Sequence, residues 1–241
     1  MVSVCLASYN GEKFIREQIL SILHQLNFDD ELIISDDSST DHTVEIIKSI
    51  DDSRVKLLAI NQFRDPIKNF QNALNHAKGE VIFLSDQDDV WLTDKYSDTL
   101  QLLKSYDLIV SDSIIVDEQL NTLHPSFFKY FKSGKGLIKN VVKSSYYGSC
   151  MAFKKVILDA ALPFPDTKEI GHDLWIGLVA EMTGKVFFYS KPLILYRRHT
   201  NAFTPVNVGK STRKKHQMLY GRLVMLRELV KFYLKNKWKK G

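Results

Sequence analysis

Short apolar runs alternate with stretches of helical periodicity over the first hundred residues. Four of these runs predict strands, at residues 2–7, 31–35, 55–60 and 80–84. Between them, apolar side chains recur every three or four positions and predict helices at residues 14–26, 44–50 and 68–77. Because repeated β–α units of this length build a mostly parallel sheet with helices on both faces, this half of the chain predicts an α/β fold.

The pattern is less regular after residue 92. Helices are predicted at residues 94–104 and 172–182, and strands at residues 108–116, 147–153, 186–189 and 193–197. Residues 127–142 show no clear period. No internal repeat, low-complexity tract or linker precedes about residue 204, so we predict one domain at residues 1–205, with halves at 1–92 and 93–205.

Residues 206–241 are predicted to form a basic helical tail. Apolar side chains recur there at helical spacing and predict one apolar face: Leu219, Leu223, Leu226, Val230 and Tyr233, widened by Met218, Met225, Leu229 and Phe232. Lysine and arginine dominate the remaining face. Such an amphipathic helix suits an anionic membrane surface, and it equally suits packing on the domain or across a homodimer.

The charge is divided unevenly between these two segments. The whole chain of 241 residues carries a formal net charge of +5, with 44% hydrophobic residues, which is enough for a globular core. Residues 210–241 contain eleven basic residues and one acidic residue, a net +10, so the first 209 residues carry −5. An acidic body argues against a nucleic-acid-binding protein, because it repels phosphate.

The cysteines and the N-terminus narrow the cellular setting. Cys5 and Cys150 fit neither a CxxC pair nor a zinc-ligand spacing, so neither a disulfide framework nor a structural zinc is expected, and Cys5 is predicted to be a buried apolar residue. The N-terminus lacks the basic region of a signal peptide, and no apolar run approaches the roughly 20 residues that span a bilayer. These features predict a cytoplasmic location.

Polar clusters follow three of the early strands. They occupy residues 8–11 (Ser-Tyr-Asn-Gly), 36–41 (Asp-Asp-Ser-Ser-Thr-Asp) and 85–89 (Ser-Asp-Gln-Asp-Asp). The carboxyl ends of parallel strands meet at one edge of a sheet, where α/β folds bind ligands. Each cluster alone is also explained by turn and N-cap preferences, but three in succession favour a binding site.

The third cluster carries the most specific chemistry. Asp86, Asp88 and Asp89 place three carboxylates within four residues after an apolar strand, which costs free energy unless a cation lies there. Mg²⁺ or Mn²⁺, bound through one or two carboxylates and substrate phosphates, suits these oxygen ligands. The alternative is a solvated acidic loop before a helix that begins at Asp94.

These segments resemble the inverting glycosyltransferases of family 2. The resemblance rests on residues 7–11 (Ala-Ser-Tyr-Asn-Gly), 34–41 (Ile-Ser-Asp-Asp-Ser-Ser-Thr-Asp) and 79–91, whose Asp-Gln-Asp-Asp-Val-Trp end resembles the rhamnosyltransferase-like branch. It covers about residues 2–200 in the order and spacing of the family. It implies a GT-A fold, a Rossmann-like mixed sheet flanked by helices, here followed by the basic amphipathic helix.

The resemblance also implies a donor site. Ala7, Ser8 and Tyr9 then line the nucleoside pocket, and Asp37 accepts a hydrogen bond from the pyrimidine ring. Asp86 and Asp88 correspond to the family's DxD pair, with Asp88 as the direct metal ligand and Asp86 nearer the ribose. Arg64 and Asn69 fall in a segment that completes the nucleotide site, and His199, after Arg197 and Arg198, falls where a basic or imidazole group meets the diphosphate or the metal. The implied cofactor is Mg²⁺ or Mn²⁺.

The acceptor half is implied by residues 171–175 (Gly-His-Asp-Leu-Trp). Asp173 corresponds to the family's general base, and His172 and Trp175 are assigned to the acceptor. Gly148 and Ser149 resemble the small-residue loop beneath that site. On residue types alone, Asp173 is equally a first-turn helix residue, residues 148–151 a strand entering the core, and Trp175 a packing residue.

The implied reaction is the inverting transfer of a sugar from a nucleotide diphosphate donor, dTDP-rhamnose or UDP-hexose, to a hydroxyl of a growing cell-surface polysaccharide. A polyprenyl-linked acceptor would place the enzyme on the inner face of the plasma membrane. Two alternatives stay open: a sugar-phosphate nucleotidyltransferase, whose Gly-rich phosphate loop is absent from residues 8–12, and a non-enzymatic binding module that uses the tail.

Overall fold

A computed structural model of the chain describes residues 1–59, 61–199 and 214–238. Residues 237 and 238 are described without their side chains. Four parallel strands organise its first half: β1 (Val2–Ser8), β2 (Glu31–Asp36), β3 (Val55–Leu58) and β4 (Val81–Asp86). β1 lies between β2 and β4, and β3 pairs with the outer edge of β2. All four strands lie where the apolar runs predict them.

The second half adds strands of both directions to the same sheet. These are β5 (Val90–Trp91), β6 (Leu108–Val116), β7 (Thr122–His124), β8 (Met151–Lys154) and β9 (Val186–Arg197). The strand order is β3-β2-β1-β4-β8-β6-β9-β5, with β7 paired to β6. β8 runs antiparallel to both β4 and β6, whereas β6 and β9 are parallel. The sheet is therefore mixed, which confirms the predicted fold class.

Helices cover both faces of this sheet. Their bounds are α1 (Ile15–Leu23), α2 (Thr43–Lys48), α3 (Pro66–Asn75), α4 (Lys95–Leu103), α5 (Phe127–Phe131), α6 (Leu137–Val142), α7 (Lys155–Ala161), α8 (His172–Thr183) and α9 (Lys215–Trp238). α1, α2 and α4 pack on one face of the sheet, and α3, α7, α8 and α9 pack on the other. None of the described helices is long and apolar enough to cross a bilayer.

The alternation of side chains along the strands divides the core into two layers. In β1, Val4 and Leu6 point to the layer under α1, and Cys5 points to the layer under α3 and α8. Cys5 is fully buried, as predicted, and burial raises the pKa of its thiol. Successive residues of a buried strand enter opposite layers, which is why these strands read as continuous apolar runs.

Three predictions about local structure need correction. Residues 148–150 form a 3₁₀ turn before β8 instead of a continuous strand from 147. β9 is one strand of twelve residues instead of two, with register irregularities opposite Ser111 and Asp112. Residues 127–142, which showed no period, contain the short helices α5 and α6.

The tail helix has two apolar faces, not one. Val224, Met225, Leu229 and Phe232 are buried in the core layer that contains α8, and the Phe232 ring lies 5.9 Å edge-on from Trp175. The series from Leu219 to Tyr233, predicted as the centre of the apolar face, is exposed on the opposite side. The predicted start of the tail and the boundary at 205 lie outside the described residues.

Candidate active site

The carboxyl ends of β1, β2 and β4 form the floor of the site. Strand register places Ser8 beside Asp36 and Ala7 beside Asp86, so the three predicted clusters converge at one edge of the sheet. The Ser8 hydroxyl donates to the Asp36 carboxylate over 2.8 Å. Tyr9, the next residue, has an exposed side chain at the open edge.

Asp37 ties a neighbouring loop to this edge. Its backbone N–H donates to the Ser8 carbonyl over 3.0 Å, and its carboxylate accepts the backbone N–H of Phe63 over 2.6 Å and of Asp65 over 3.3 Å. Arg64 lies between them, exposed and with a φ of 50°, in the left-handed region. Asp37 and Arg64 are thus brought to the same loop, as the predicted nucleotide site requires.

Gln87 holds the first cluster against the third, a role that no sequence pattern indicated. Its amide accepts from the Tyr9 N–H over 2.8 Å and donates to the Tyr9 carbonyl over 2.9 Å. Gly11 lies so close that a Cβ atom there would meet the Gln87 amide oxygen at 2.4 Å. A glycine at position 11 therefore allows the close approach of these two loops.

The acidic loop is buried and electrostatically crowded. Burial and the neighbouring Asp89, Asp88 and Asp173 raise the pKa of Asp86 well above its usual value. Burial and Asp88 raise the pKa of Asp89 to about 7. Both shifts show that this loop holds negative charge at a cost, as expected where a cation is to be bound.

Arg197, at the end of β9, holds the acidic loop through hydrogen bonds. Its backbone N–H donates to Asp89 Oδ1 over 3.0 Å, and its Nε donates to the Asp88 carbonyl over 2.7 Å. The guanidinium also pairs with Glu17 at 2.5 Å and stacks 4.5 Å from the Phe14 ring centroid. Two residues later, His199 Nε2 lies 2.8 Å from Asp88 Oδ2, so the predicted pair of metal ligands is adjacent.

Lys95 is a site residue that the sequence did not reveal. It is 2% exposed, its ammonium donates to the Ser149 carbonyl over 2.7 Å, and it lies 5.0 Å from the Trp91 ring centroid. Burial lowers its pKa to about 8, against the attraction of charges that include Asp89 and Asp86. Lys95 thus joins the acidic loop to the 148–150 turn.

The first turn of α8 completes the site. Asp173 is half-buried in this turn, and its charge helps to raise the pKa of Asp86, so the predicted base faces the acidic loop. His172 stacks on Phe70 with ring centroids 4.0 Å apart, and its buried Nε2 atom has no hydrogen-bond partner among the described residues. A Cβ atom on Gly148 would lie 3.1 Å from that nitrogen. The small-residue turn therefore lies directly beside His172 and Asp173, as predicted.

Trp175 does not belong with the acceptor residues. It is 4% exposed, its indole N–H donates to the Ala161 carbonyl over 2.9 Å, and its ring packs against α9. Trp175 lies on the inner side of α8, where it cannot meet a substrate that binds at the open edge. The assignment to the acceptor is therefore wrong, and Trp175 is a packing residue.

The side chains at this edge fit a divalent cation only when substrate completes the site. Within the described parts of the chain, no group of three His, Cys, Asp or Glu side chains is arranged to hold a metal ion. Asp88 and His199 form an adjacent pair, and Asp86, two residues before Asp88, is half-buried and has a raised pKa. Mg²⁺ and Mn²⁺ sites of one or two carboxylates plus substrate phosphates match such a pair.

A groove of about 560 Å³ opens beside the site, between α3 and residues 163–168. Asp65, whose backbone N–H donates to Asp37, is one of its lining residues, and the rest of its wall carries aromatic, amide and charged side chains, among them Phe63, Asn72, Phe164 and Lys168. The groove therefore continues the edge at which the polar clusters meet.

Comparison with known proteins decides the family. The profile described as Glycosyl transferase family 2 matches residues 3–162, more than half of the chain. The chain belongs to glycosyltransferase family 2. The predicted family and enzyme class are confirmed, and the nucleotidyltransferase and binding-module alternatives are set aside.

Similar proteins are named as rhamnosyl- and glucosyltransferases. The dTDP-rhamnosyl transferase RfbG of Shigella flexneri is 29% identical over 236 residues, which cover 87% of this chain and 77% of that protein. The GalNAc(5)-diNAcBac-PP-undecaprenol beta-1,3-glucosyltransferase of Campylobacter jejuni is 28% identical over 207 residues, 81% of this chain and 64% of that protein. The UDP-Glc:alpha-D-GlcNAc-diphosphoundecaprenol beta-1,3-glucosyltransferase WfaP of Escherichia coli is 36% identical over 113 residues, 47% of this chain and 45% of that protein.

Solved structures share the fold. Staphylococcus aureus TarS 1-349 in complex with UDP-GlcNAc superposes with a TM-score of 0.68 at 21% identity, covering 83% of this chain and 59% of that one. Mannosyltransferase PcManGT from Pyrobaculum calidifontis, in complex with GDP-Man and Mn²⁺, gives a TM-score of 0.56 at 20% identity, covering 79% and 54%. The predicted GT-A fold is confirmed. The chain spans just over half the length of these two structures.

Proposed function

We propose that this chain transfers a sugar from a nucleotide diphosphate donor to a hydroxyl of a lipid-linked glycan, with inversion at the anomeric carbon. The observation that carries the proposal is the meeting of Asp173 and β4 at the 148–150 turn: a Cβ atom on Gly148 would lie 3.9 Å from the Asp173 Cβ atom and 3.8 Å from Leu84 of β4, the strand that ends in Asp86. The charge of Asp173 accordingly contributes to the raised pKa of Asp86. The carboxylate of Asp173 thereby lies near a site for a cation that also binds the donor phosphates. A single displacement requires these two parts and no covalent nucleophile.

Asp173 takes the proton of the acceptor hydroxyl in this mechanism. The acceptor oxygen forms the new bond to the anomeric carbon as the bond from that carbon to the β-phosphate oxygen breaks. Asp173 lies in the first turn of α8, where the backbone N–H of Leu174 donates to its carboxylate over 2.7 Å. That bond fixes the orientation of the base and leaves its other oxygen for the acceptor.

The donor occupies the edge formed by β1, β2 and β4. Ala7, Ser8, Tyr9, Asp37 and Arg64 are proposed to hold its nucleoside. Asp86, Asp88 and His199 are proposed to hold Mg²⁺ or Mn²⁺, which would stabilise the negative charge that develops on the departing diphosphate. Partial burial lowers the dielectric around the acidic loop and strengthens these electrostatic interactions.

The acceptor is proposed to cross the 148–150 turn, where Gly148, Ser149 and His172 line the approach to Asp173. A polyprenyl diphosphate carrier and a dTDP-rhamnose or UDP-hexose donor are the chemistry that the names of the relatives support. Such an acceptor is anchored in a membrane. We therefore propose that the enzyme works at the cytoplasmic surface of the plasma membrane.

The donor is tested by thermal unfolding of the purified chain with UDP-, dTDP- and GDP-sugars, each with Mn²⁺ or with a chelator. A ligand at a hundred times its dissociation constant adds about 2.7 kcal/mol of stability. At roughly 2–4 °C per kcal/mol, the bound nucleotide is expected to raise Tm by about 5–11 °C, and only with the metal. No shift with any nucleotide would contradict the proposal.

The base is tested by Asp173→Asn, with Asp159→Asn as a control at an exposed acid of α7, away from the site and the groove. Loss of a general base is expected to lower kcat by about 10²–10⁴-fold while the donor-induced Tm shift remains, because the donor does not bind through Asp173. Asp88→Ala is expected to abolish both. Normal turnover in Asp173→Asn would show that another group accepts the proton.

A further inference from the structure

The exposed side of α9 is an apolar surface without a partner in the described structure. Seven large apolar side chains on this side are each 48–61% exposed: Leu219, Tyr220, Leu223, Leu226, Val230, Tyr233 and Leu234. Soluble monomers seldom expose so many contiguous apolar side chains, and such patches mark sites of protein or membrane contact. We call this series the outer face of α9.

This face is distinct from the one that holds the helix to the domain. Met225, Leu229 and Phe232 pack into the core, and residues nine positions apart on a helix, such as Leu223 and Phe232, point to opposite sides. The outer face, whose side chains are about half exposed, therefore contributes little to packing within the chain. The presence of apolar side chains on the outer face is therefore not explained by folding of the chain.

A second helix extends the outer face. α6 packs against α9, and Arg222 Nη2 donates to the Val142 carbonyl over 3.0 Å. On α6, Ile138 is 82% exposed and Val142 is 56% exposed. The exposed apolar side chains of the two helices thus belong to neighbouring elements on the same side of the sheet.

The charges around this surface are predominantly positive. Residues 127–143 contain five lysines and no acidic residue, and all five lysines are exposed: Lys129, Lys132, Lys135, Lys139 and Lys143. On α9, Arg227, Lys231 and Lys235 are exposed beside the apolar series, and Glu228 is the single acid between Lys210 and Gly241. The surface that joins α6 to α9 is therefore apolar and cationic at once.

We propose that the α6–α9 surface docks on a membrane that contains anionic lipids, with the outer face of α9 and Ile138 entering the interface and the lysines lying at the headgroups. Apolar side chains flanked by cations are the chemistry of interfacial helices. A second copy of this chain fits the surface poorly, because it would bring two clusters of like charge together. The inference rests on the proposed function only for the purpose of docking, which is to hold the enzyme where a lipid-linked acceptor lies.

Vesicle co-sedimentation of the full chain tests the proposal. Phosphatidylcholine vesicles with phosphatidylglycerol are expected to bind the protein, and pure phosphatidylcholine vesicles or high salt are expected to weaken binding. Leu223→Ser with Val230→Ser is expected to lower affinity on the order of tenfold or more. The matched control is Leu20→Ser with Phe28→Ser, two exposed apolar residues associated with α1, on the opposite side of the sheet.

A charge variant tests the contribution of α6. Lys139→Glu with Lys143→Glu is expected to reduce binding to anionic vesicles by at least about fivefold for each cation removed. Lys48→Glu with Lys104→Glu changes net charge equally from exposed positions of the opposite side and is expected to bind almost normally. Equal losses in both variants would show that only net charge matters and would overturn the assignment to this surface.

Three further readouts separate the outcomes. The docking variants are expected to keep the donor-induced Tm shift and transfer to a water-soluble acceptor, so failure of the docking proposal is distinguishable from failure of the proposed function. Light scattering reports the oligomeric state. A dimer that dissociates in Leu223→Ser with Val230→Ser, while vesicle binding is unchanged, would assign the surface to self-association and overturn the proposal.

Discussion

A buried lysine balances the acidic loop. Lys95 lies between the carboxylates of that loop and the carbonyl of Ser149, and it is the only fully buried lysine among the described residues. Two effects compete there. Burial disfavours its charge and lowers its pKa to about 8, whereas Asp86 and Asp89 favour the charge. A lysine that stays buried despite this free-energy cost of desolvation indicates that its charge stabilises the neighbouring carboxylates.

Replacing Lys95 by methionine tests this balance, because the side chain keeps its length and loses its charge. Removal of one member of a buried set of charges leaves the others uncompensated, so Lys95→Met is expected to lower the free energy of unfolding by about 3–5 kcal/mol at neutral pH. Urea denaturation measures the change. Lys104→Met, at the exposed C-terminal end of α4, is expected to stay within about 0.5 kcal/mol of the parent.

An unchanged stability in Lys95→Met would mean that the carboxylates carry protons and do not need the cation. That result would also weaken the proposed cation site, since protonated carboxyl groups do not bind Mg²⁺ or Mn²⁺.

Individual site residues differ in how far the sequence could reveal them. Asp86, Asp88 and Asp173 lie in motifs at strand and helix ends. Core packing does not explain why acidic residues occur at these positions, so the sequence could reveal them. Lys95 follows Asp94 in what reads as an ordinary exposed helix start. Arg197 reads as a solvated strand end, and only the return of β9 beside β5 shows that it clamps the acidic loop. Such roles depend on long-range pairing, which no local pattern contains.

At the scale of elements, one carboxylate joins the amino ends of four strands. Glu31 of β2 accepts the Ser3 hydroxyl of β1 over 2.5 Å and the Lys56 ammonium of β3 over 2.5 Å. It also accepts the Lys78 N–H, just before β4, over 2.8 Å. Burial opposes ionisation, but these hydrogen bonds outweigh it and lower the pKa of Glu31 below its ordinary 4.5.

Glu31→Gln removes the charge from this junction. We expect it to lower the free energy of unfolding by about 1.5–3 kcal/mol at pH 7, the usual worth of a hydrogen bond to a charged group. A carboxyl group with a lowered folded pKa stabilises the fold above its unfolded pKa and ceases to do so as pH falls through the folded pKa. The difference between the two proteins is therefore expected to shrink below about pH 4.5.

Denaturation in urea over a series of pH values checks this expectation. Glu45→Gln, at an exposed position of α2, serves as the control and is expected to show no such difference at any pH. A constant gap between Glu31→Gln and the parent down to strongly acidic pH would assign the effect to packing instead of charge.

The predicted elements are most reliable where packing follows sequence neighbours. β1 to β4 and their helices repeat one local unit, so periodicity was enough to place them. The 148–150 turn and the long β9 depend on pairing with β4 and β6, which come much earlier in the chain. α5 and α6 have five and six residues, too few turns to produce a recognisable period.

At the scale of the whole molecule, α9 belongs to the catalytic body. The sequence predicted a tail distinct from residues 1–205, because charge changes sharply near residue 210, and left open whether its helix lies on a membrane, on the domain or across a dimer. Charge reports the surface of a helix and not what lies beneath it. Val224, Met225, Leu229 and Phe232 enter the same core layer as α8 and β4. Two apolar faces on opposite sides of one helix merge in the sequence into a single broad face, and only tertiary contacts separate them.

This integration predicts that damage to the inner face of α9 unfolds the entire domain. Phe232→Ala removes a ring that is 8% exposed and lies against Trp175, two residues beyond the proposed base. Such a change in a core is expected to cost about 3–5 kcal/mol. At roughly 2–4 °C per kcal/mol, Tm is expected to fall by about 6–20 °C in one cooperative transition.

Val230→Ala, on the outer face, is expected to leave Tm almost unchanged, because the Val230 side chain is 57% exposed. Calorimetry that shows an unshifted main transition in Phe232→Ala, with a separate small one for the helix, would restore the tail as an independent segment.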